Sequence, residues 1–147
     1  MVRTPLESLV FAYAALIPIF AGGVAVWVAP GPMVPFLLRA TVTWSAAVLC
    51  FLAGVRRGLS FRQEGGPTVT QIASIIWLFV LGAAPLFSPW MLASTLLLMA
   101  GYGSMLVLDP VAARHGEAPR YFARLRPPQL LLLLAGLASL LVKLLAV

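Results

Sequence analysis

Five stretches of this chain run almost without charge, and each is long enough to cross a bilayer: Leu9–Ala29, Pro35–Val55, Val69–Leu86, Trp90–Leu108 and Leu130–Val147. A helix rises ~1.5 Å per residue, so about twenty residues span a ~30 Å hydrocarbon core. The expected fold is therefore all-α: a polytopic membrane helix bundle of five transmembrane helices plus a short interfacial helix. It forms a single integral membrane domain over residues 1–147.

Composition supports this. Hydrophobic residues make up 62% of the chain and charged residues 10%, where a soluble domain carries roughly 25% charged residues. Mean hydropathy is +1.03, and at 15.7 kDa there is no room for a separate soluble domain. The net charge of +6 does not point to nucleic acid, because the basic residues sit in short connections between apolar spans. Their natural partners are membrane lipids, above all anionic head groups. Arg3 precedes an apolar run longer than a signal-peptide core, so the first span is expected to be retained. The single cysteine, Cys50, excludes an intrachain disulfide and reads as a packing residue.

The charges orient the bundle. Arg3, Arg56, Arg57, Arg62, Arg114, Arg120, Arg124 and Arg126 all fall on one side of five consecutive spans. The connections Pro30–Val34 and Phe87–Pro89 face the other side and carry no charge. The positive-inside rule then places the N-terminus in the cytoplasm (or its organellar equivalent) and the C-terminus on the opposite face of an inner membrane. The two remaining cations, Arg39 and Lys143, lie inside spans near that opposite face. Both are long enough to snorkel to the interface. Arg39 is also the candidate contact for a ligand, a lipid phosphate or a partner carboxylate.

Local signals mark where helices start. Thr4-Pro5-Leu6-Glu7 and Thr68 with Gln71 have capping-box spacing, and Ser88-Pro89 can cap the fourth span. Pro18 removes a backbone hydrogen bond in the first span and predicts a kink. Phe87-Ser88-Pro89 predicts a tight antiparallel hairpin. In the long connection, Pro119–Arg126 reads as the interfacial helix, ended by Pro127-Pro128. Arg120, Tyr121, Arg124 and Arg126 would there contact lipid head groups.

Small residues predict helix-packing surfaces: Gly22 and Gly23 in the first span, Gly54 and Gly58 closing the second with GxxxG spacing, and Gly101 and Gly103 in the fourth. Ala135, Gly136, Ala138 and Ser139 do the same in the fifth. Asp109 ends the fourth span at the level of Arg56 and Arg57, and an ion pair with one of them is expected. Trp27 and Trp90 suit an interfacial aromatic belt.

The chemistry-bearing inventory is poor. The four carboxylates, Glu7, Glu64, Asp109 and Glu117, all lie toward the arginine-rich side, and none is near the bilayer centre, where a proton relay would need one. His115 has no ligand partners at metal-site spacing. No catalytic, cofactor or metal site is expected, and no enzyme.

Three segments together resemble a known family: Ala15-Leu16-Ile17-Pro18; Phe51-Leu-Ala-Gly54-Val-Arg56-Arg57-Gly58-Leu59; and Asp109 followed by Gly116-Glu-Ala-Pro119-Arg-Tyr121 and Leu125-Arg126-Pro127. They are similar to the transmembrane-protein-sixty-nine-like family of small five-helix membrane proteins, whose domain has no known function. The chain departs from it at Arg57 and Arg120, where the family tends to carry Trp. The resemblance implies a bacterial inner membrane or a mitochondrion, and no activity. Two functional readings follow: an accessory or assembly subunit of a larger membrane complex, such as respiratory or photosynthetic machinery, or a lipid- or small-molecule-binding protein or carrier.

Overall fold

The computed structural model describes the backbone of residues 6–60, 65, 68–114 and 121–146, and among these the side chains of residues 10, 13–58, 65, 68–108 and 128–146. Five helices follow one another: α1 (Leu6–Val28), α2 (Val34–Ser60), α3 (Val69–Phe87), α4 (Met91–Arg114) and α5 (Tyr121–Leu145). A single 3₁₀ turn, Gly31–Met33, joins α1 to α2. No strand occurs among the described residues.

Four segments are long and apolar enough to cross a membrane: Gly31–Gly58, Val69–Phe87, Met91–Leu108 and Pro128–Leu145. α1 is 23 residues long, and its described apolar stretch is Tyr13–Val28. Phe36, Phe51, Phe87 and Trp90, each at least 69% exposed, stand on the outside of the bundle. A soluble protein rarely leaves so much large apolar surface uncovered, whereas hydrocarbon solvates it. The chain is a membrane protein built as a helical bundle.

The helices close into a ring in which each packs on its sequence neighbours and α1 packs on α5, while α2 also touches α4 across the middle. This places α2 and α4 at the centre. Leu38, Val42, Ala46, Leu49 and Ala53 recur at three- and four-residue steps on one face of α2, and all are buried. Leu98, Tyr102 and Met105 answer them from α4. The Tyr102 hydroxyl donates to the Ser45 carbonyl at 2.6 Å, so this fully buried polar group is satisfied across the helix pair.

Local chemistry explains the helix ends. Thr68 Oγ1 accepts from the Gln71 N–H at 3.2 Å, and Gln71 Oε1 accepts from the Thr68 N–H at 2.8 Å. This reciprocal box closes two orphan donors at the start of α3. Ser88 does two jobs in the α3–α4 turn. Its backbone N–H donates to Ala84 O, ending α3, and its Oγ accepts from the Trp90 N–H at 3.2 Å, just before α4 begins. The proposed box at Thr4–Glu7 lies outside the described residues and side chains.

Pro18 does not break α1. The proline lacks the N–H that would bond Ala14 O, four residues before it. Beside that carbonyl, Ala15 O takes the Trp44 indole N–H from α2 at 2.8 Å, which ties the two helices together at this turn.

One expectation is corrected. Pro127-Pro128 does not end a separate interfacial helix: the backbone is helical without interruption from Tyr121 to Leu145. Proline's fixed φ is itself helical, and what it removes is an N–H bond to the preceding turn. Near the end of a helix at the membrane surface, water can take those carbonyls. The side chains of Tyr121, Arg124 and Arg126, and Arg120 as a whole, lie outside the description, so their head-group contacts do too.

Candidate functional site

At the end of the bundle that carries the two short connections, five helix termini meet: the C-terminal turns of α1, α3 and α5 and the N-terminal turns of α2 and α4. A cavity of about 660 Å³ opens there. Its walls include Val34, Pro35 and Leu38 of α2 and Met91 of α4, and its two charged lining residues are Arg39 and Lys143. This volume falls within the ~300–1,000 Å³ of small-molecule sites.

Arg39 reaches the cavity from the second turn of α2. Its Nη1 donates to the Ser88 carbonyl at 3.2 Å, in the α3–α4 turn. A cation at the C-terminal end of α3 is electrostatically favourable. That contact uses one of the five N–H donors of the guanidinium, and no other bond of Arg39 is made among the described residues.

Lys143 comes from the last turn of α5, again at a helix C-terminus. Its Nζ lies 4.8 Å from the centroid of the Trp27 ring, a cation–π distance. Trp27 is itself fixed: its indole N–H donates to Ser139 Oγ at 2.8 Å, and the Ser139 hydroxyl donates to Gly23 O at 2.6 Å. Ser139 and Lys143 are four residues apart on one face of α5. One relay from Gly23 through Ser139 and Trp27 therefore positions the ammonium.

Trp27 was expected in an interfacial belt. It is part exposed, as a belt residue would be, but its polar atom is spent on α5 rather than on water. Trp77 behaves in the same way, donating to Ser104 Oγ at 3.2 Å. Trp90, in the α3–α4 turn, is 72% exposed.

The six glycines expected to pack helices divide into two groups. A Cβ on Gly23 would meet the Gly136 carbonyl oxygen at 2.8 Å, and one on Gly22 would collide with Thr41. One on Gly101 would meet Leu49 Cδ2 at 2.5 Å. These three are buried where helices approach closely. Among the described residues, nothing stands where a Cβ on Gly54, Gly58 or Gly103 would be. α3 approaches α2 on another face, through Gly82 against Cys50. Gly82 was not foreseen, since it has no second glycine at motif spacing.

Arg56 and Arg57 end α2 at the opposite pole of the bundle, and each has an interaction partner. The Asp109 side chain lies outside the description, as does any pair it forms with them. Arg57 also borders a smaller cavity of about 270 Å³ with Ile72, Ile75 and Ile76 of α3. Two polar residues that sequence patterns do not single out are buried with no hydrogen-bond partner among the described residues: Ser94, at Oγ, and Gln129, at both amide atoms. A polar residue inside an apolar run was their only signal.

The arrangement around Arg39 and Lys143 suits binding: apolar walls for hydrocarbon and two cations at one end. No curated protein and no solved structure matches the chain. A family model described as a protein of unknown function, DUF3429, matches residues 4–145, nearly the whole sequence, and the chain belongs to that family.

Proposed function

We propose that this is a non-catalytic, multi-pass inner-membrane protein that binds an amphiphilic lipid or small molecule from the bilayer. The N-terminus is placed in the cytoplasm and the cavity on the opposite face. The cavity carries this reading: apolar walls from α2 and α4, with Arg39 and Lys143 at its boundary. The arginine distribution supports the orientation, and it suggests that the other pole rests on anionic head groups. The resemblance to the transmembrane-protein-sixty-nine-like family is consistent with an inner-membrane or mitochondrial setting.

The test is purification of the full chain from its native membrane in a mild detergent, followed by mass spectrometry of the organic extract. A discrete amphiphile should be retained by the native chain and lost from Val34→Trp, which fills the cavity from its half-buried wall. Equal retention by both, or no amphiphile in either, sinks the proposal.

A second reading, an accessory or assembly subunit of a larger complex, has its own support. Gly54 and Gly58 leave an open groove on α2, next to an exposed Phe51 on the same helix face. Small residues let a foreign helix approach closely. Co-migration with a large complex on a native gel, lost on Gly58→Leu, is the outcome expected of that reading. Migration at monomer mass removes it.

A further inference from the structure

We infer that the cavity selects an oxyanion: its ligand carries a phosphate or carboxylate head that Arg39 and Lys143 grip together, with its hydrocarbon along Val34, Leu38 and Met91. This rests on the binding proposal above and names the class of its ligand.

The argument begins with charge. Arg39 and Lys143 are the only Lys or Arg residues outside the arginine-rich side of the sequence. They come from different helices, yet both line one apolar cavity. In low-dielectric surroundings two like charges repel more strongly than in water, and an anion between them relieves both. The side-chain carboxylates of the chain are remote in sequence from this end. Glu7 and Asp109 belong to the opposite ends of α1 and α4, and Glu64 and Glu117 to the connections at the arginine-rich pole.

The donors are also suited to the task. Arg39 is docked through Nη1 on Ser88 O, which leaves the rest of its fork available for bidentate recognition. Lys143 rests over the Trp27 face, and the Ser139 hydroxyl locks that ring. An ammonium held by cation–π contact keeps its three N–H donors for other acceptors. Met91, the first residue of α4, brings the positive end of a helix to the same wall. Snorkelling alone requires no common cavity and no locked tryptophan.

The experiment is native mass spectrometry of the full chain in detergent, titrated with phosphatidylglycerol or with diacylglycerol of identical acyl chains, which lacks the phosphate. The proteins are the native chain, Arg39→Gln, Lys143→Gln, the double variant, Arg39→Lys and Val34→Trp. The expected result is one phosphatidylglycerol per chain that outlasts diacylglycerol, with about tenfold weaker retention in each glutamine variant. Arg39→Lys should fall between. The variants also separate this site from lipid held at the arginine-rich pole, which they leave intact.

Equal retention of the two lipids by the native chain overturns the inference, as does a preference unchanged in the double variant. If Val34→Trp still abolishes retention in those cases, amphiphile binding stands and only head-group selection fails. Displacement of the lipid by inorganic phosphate alone supports the oxyanion grip but removes the need for a hydrocarbon chain.

Discussion

Gly23 and Gly58 make a controlled pair. Both are helical glycines beside another small residue, and both read as surfaces for close helix approach. Gly23 is buried against the Gly136 backbone of α5, whereas Gly58 faces open space. The difference lies in the partner. α5 offers Gly136 opposite Gly23, and Ser139 one turn on ties the two helices through Gly23 O and Trp27. Among the described residues, nothing offers a matching surface to the end of α2. A small-residue motif thus permits close approach, and the facing helix decides whether it happens.

Substitutions grade this contrast. The largest effect is expected from Gly23→Leu. Its Cβ meets a backbone oxygen, which cannot rotate aside, so α1 and α5 must separate. Overpacking of this kind costs about 1–3 kcal/mol or more. The readout is a fall in the thermal midpoint of the detergent-solubilised protein, measured by size-exclusion recovery after heating. Undiminished recovery would break the comparison on its buried side.

Gly101→Ala should cost less, about 1 kcal/mol or below. Its nearest obstacle is the flexible end of Leu49 rather than backbone. An effect matching that of Gly23→Leu would show that the α2–α4 centre is as rigid as the α1–α5 seam.

Ser139→Ala removes the acceptor for Trp27 and the donor to Gly23 O without adding volume. Interhelical hydrogen bonds in membranes average ~0.6 kcal/mol, so a small drop in midpoint is expected. A change in Trp27 fluorescence should accompany it, because the ring loses its anchor. No spectral change would mean that the relay does not hold Trp27.

The smallest effect belongs to Gly58→Leu, within about 0.5 kcal/mol for the isolated chain. Gly54→Ala should even stabilise it by up to about 1 kcal/mol, since alanine is the better helix former. A large destabilisation from either would place an unseen partner or second copy on this face.

How far the sequence could be read follows from what each signal depends on. The capping box at Thr68 and Gln71 was legible because its partners are three residues apart and need nothing else. So was the hairpin at Phe87-Ser88-Pro89, although the second role of Ser88, as acceptor for Arg39, was not. Pro127-Pro128 misled in the other direction: read as a stop, it is crossed by a continuous helix, because proline opposes a helix through lost bonds rather than through its own φ. The site was half legible. Arg39 stood out as a charge within a span, but its companionship with Lys143 depends on how α2 and α5 are placed around the ring.

The sequence by itself determined the solvent, the five apolar helical stretches and the separation of charge along the chain. Those properties follow from hydropathy, span length and local hydrogen bonding, which act within a few residues along the chain. Only the tertiary structure decided which glycines are filled, which tryptophan is locked and which two cations share a cavity. Each of these depends on the face that one helix turns toward another. The packing of the whole ring sets that rotation, and no single helix carries it.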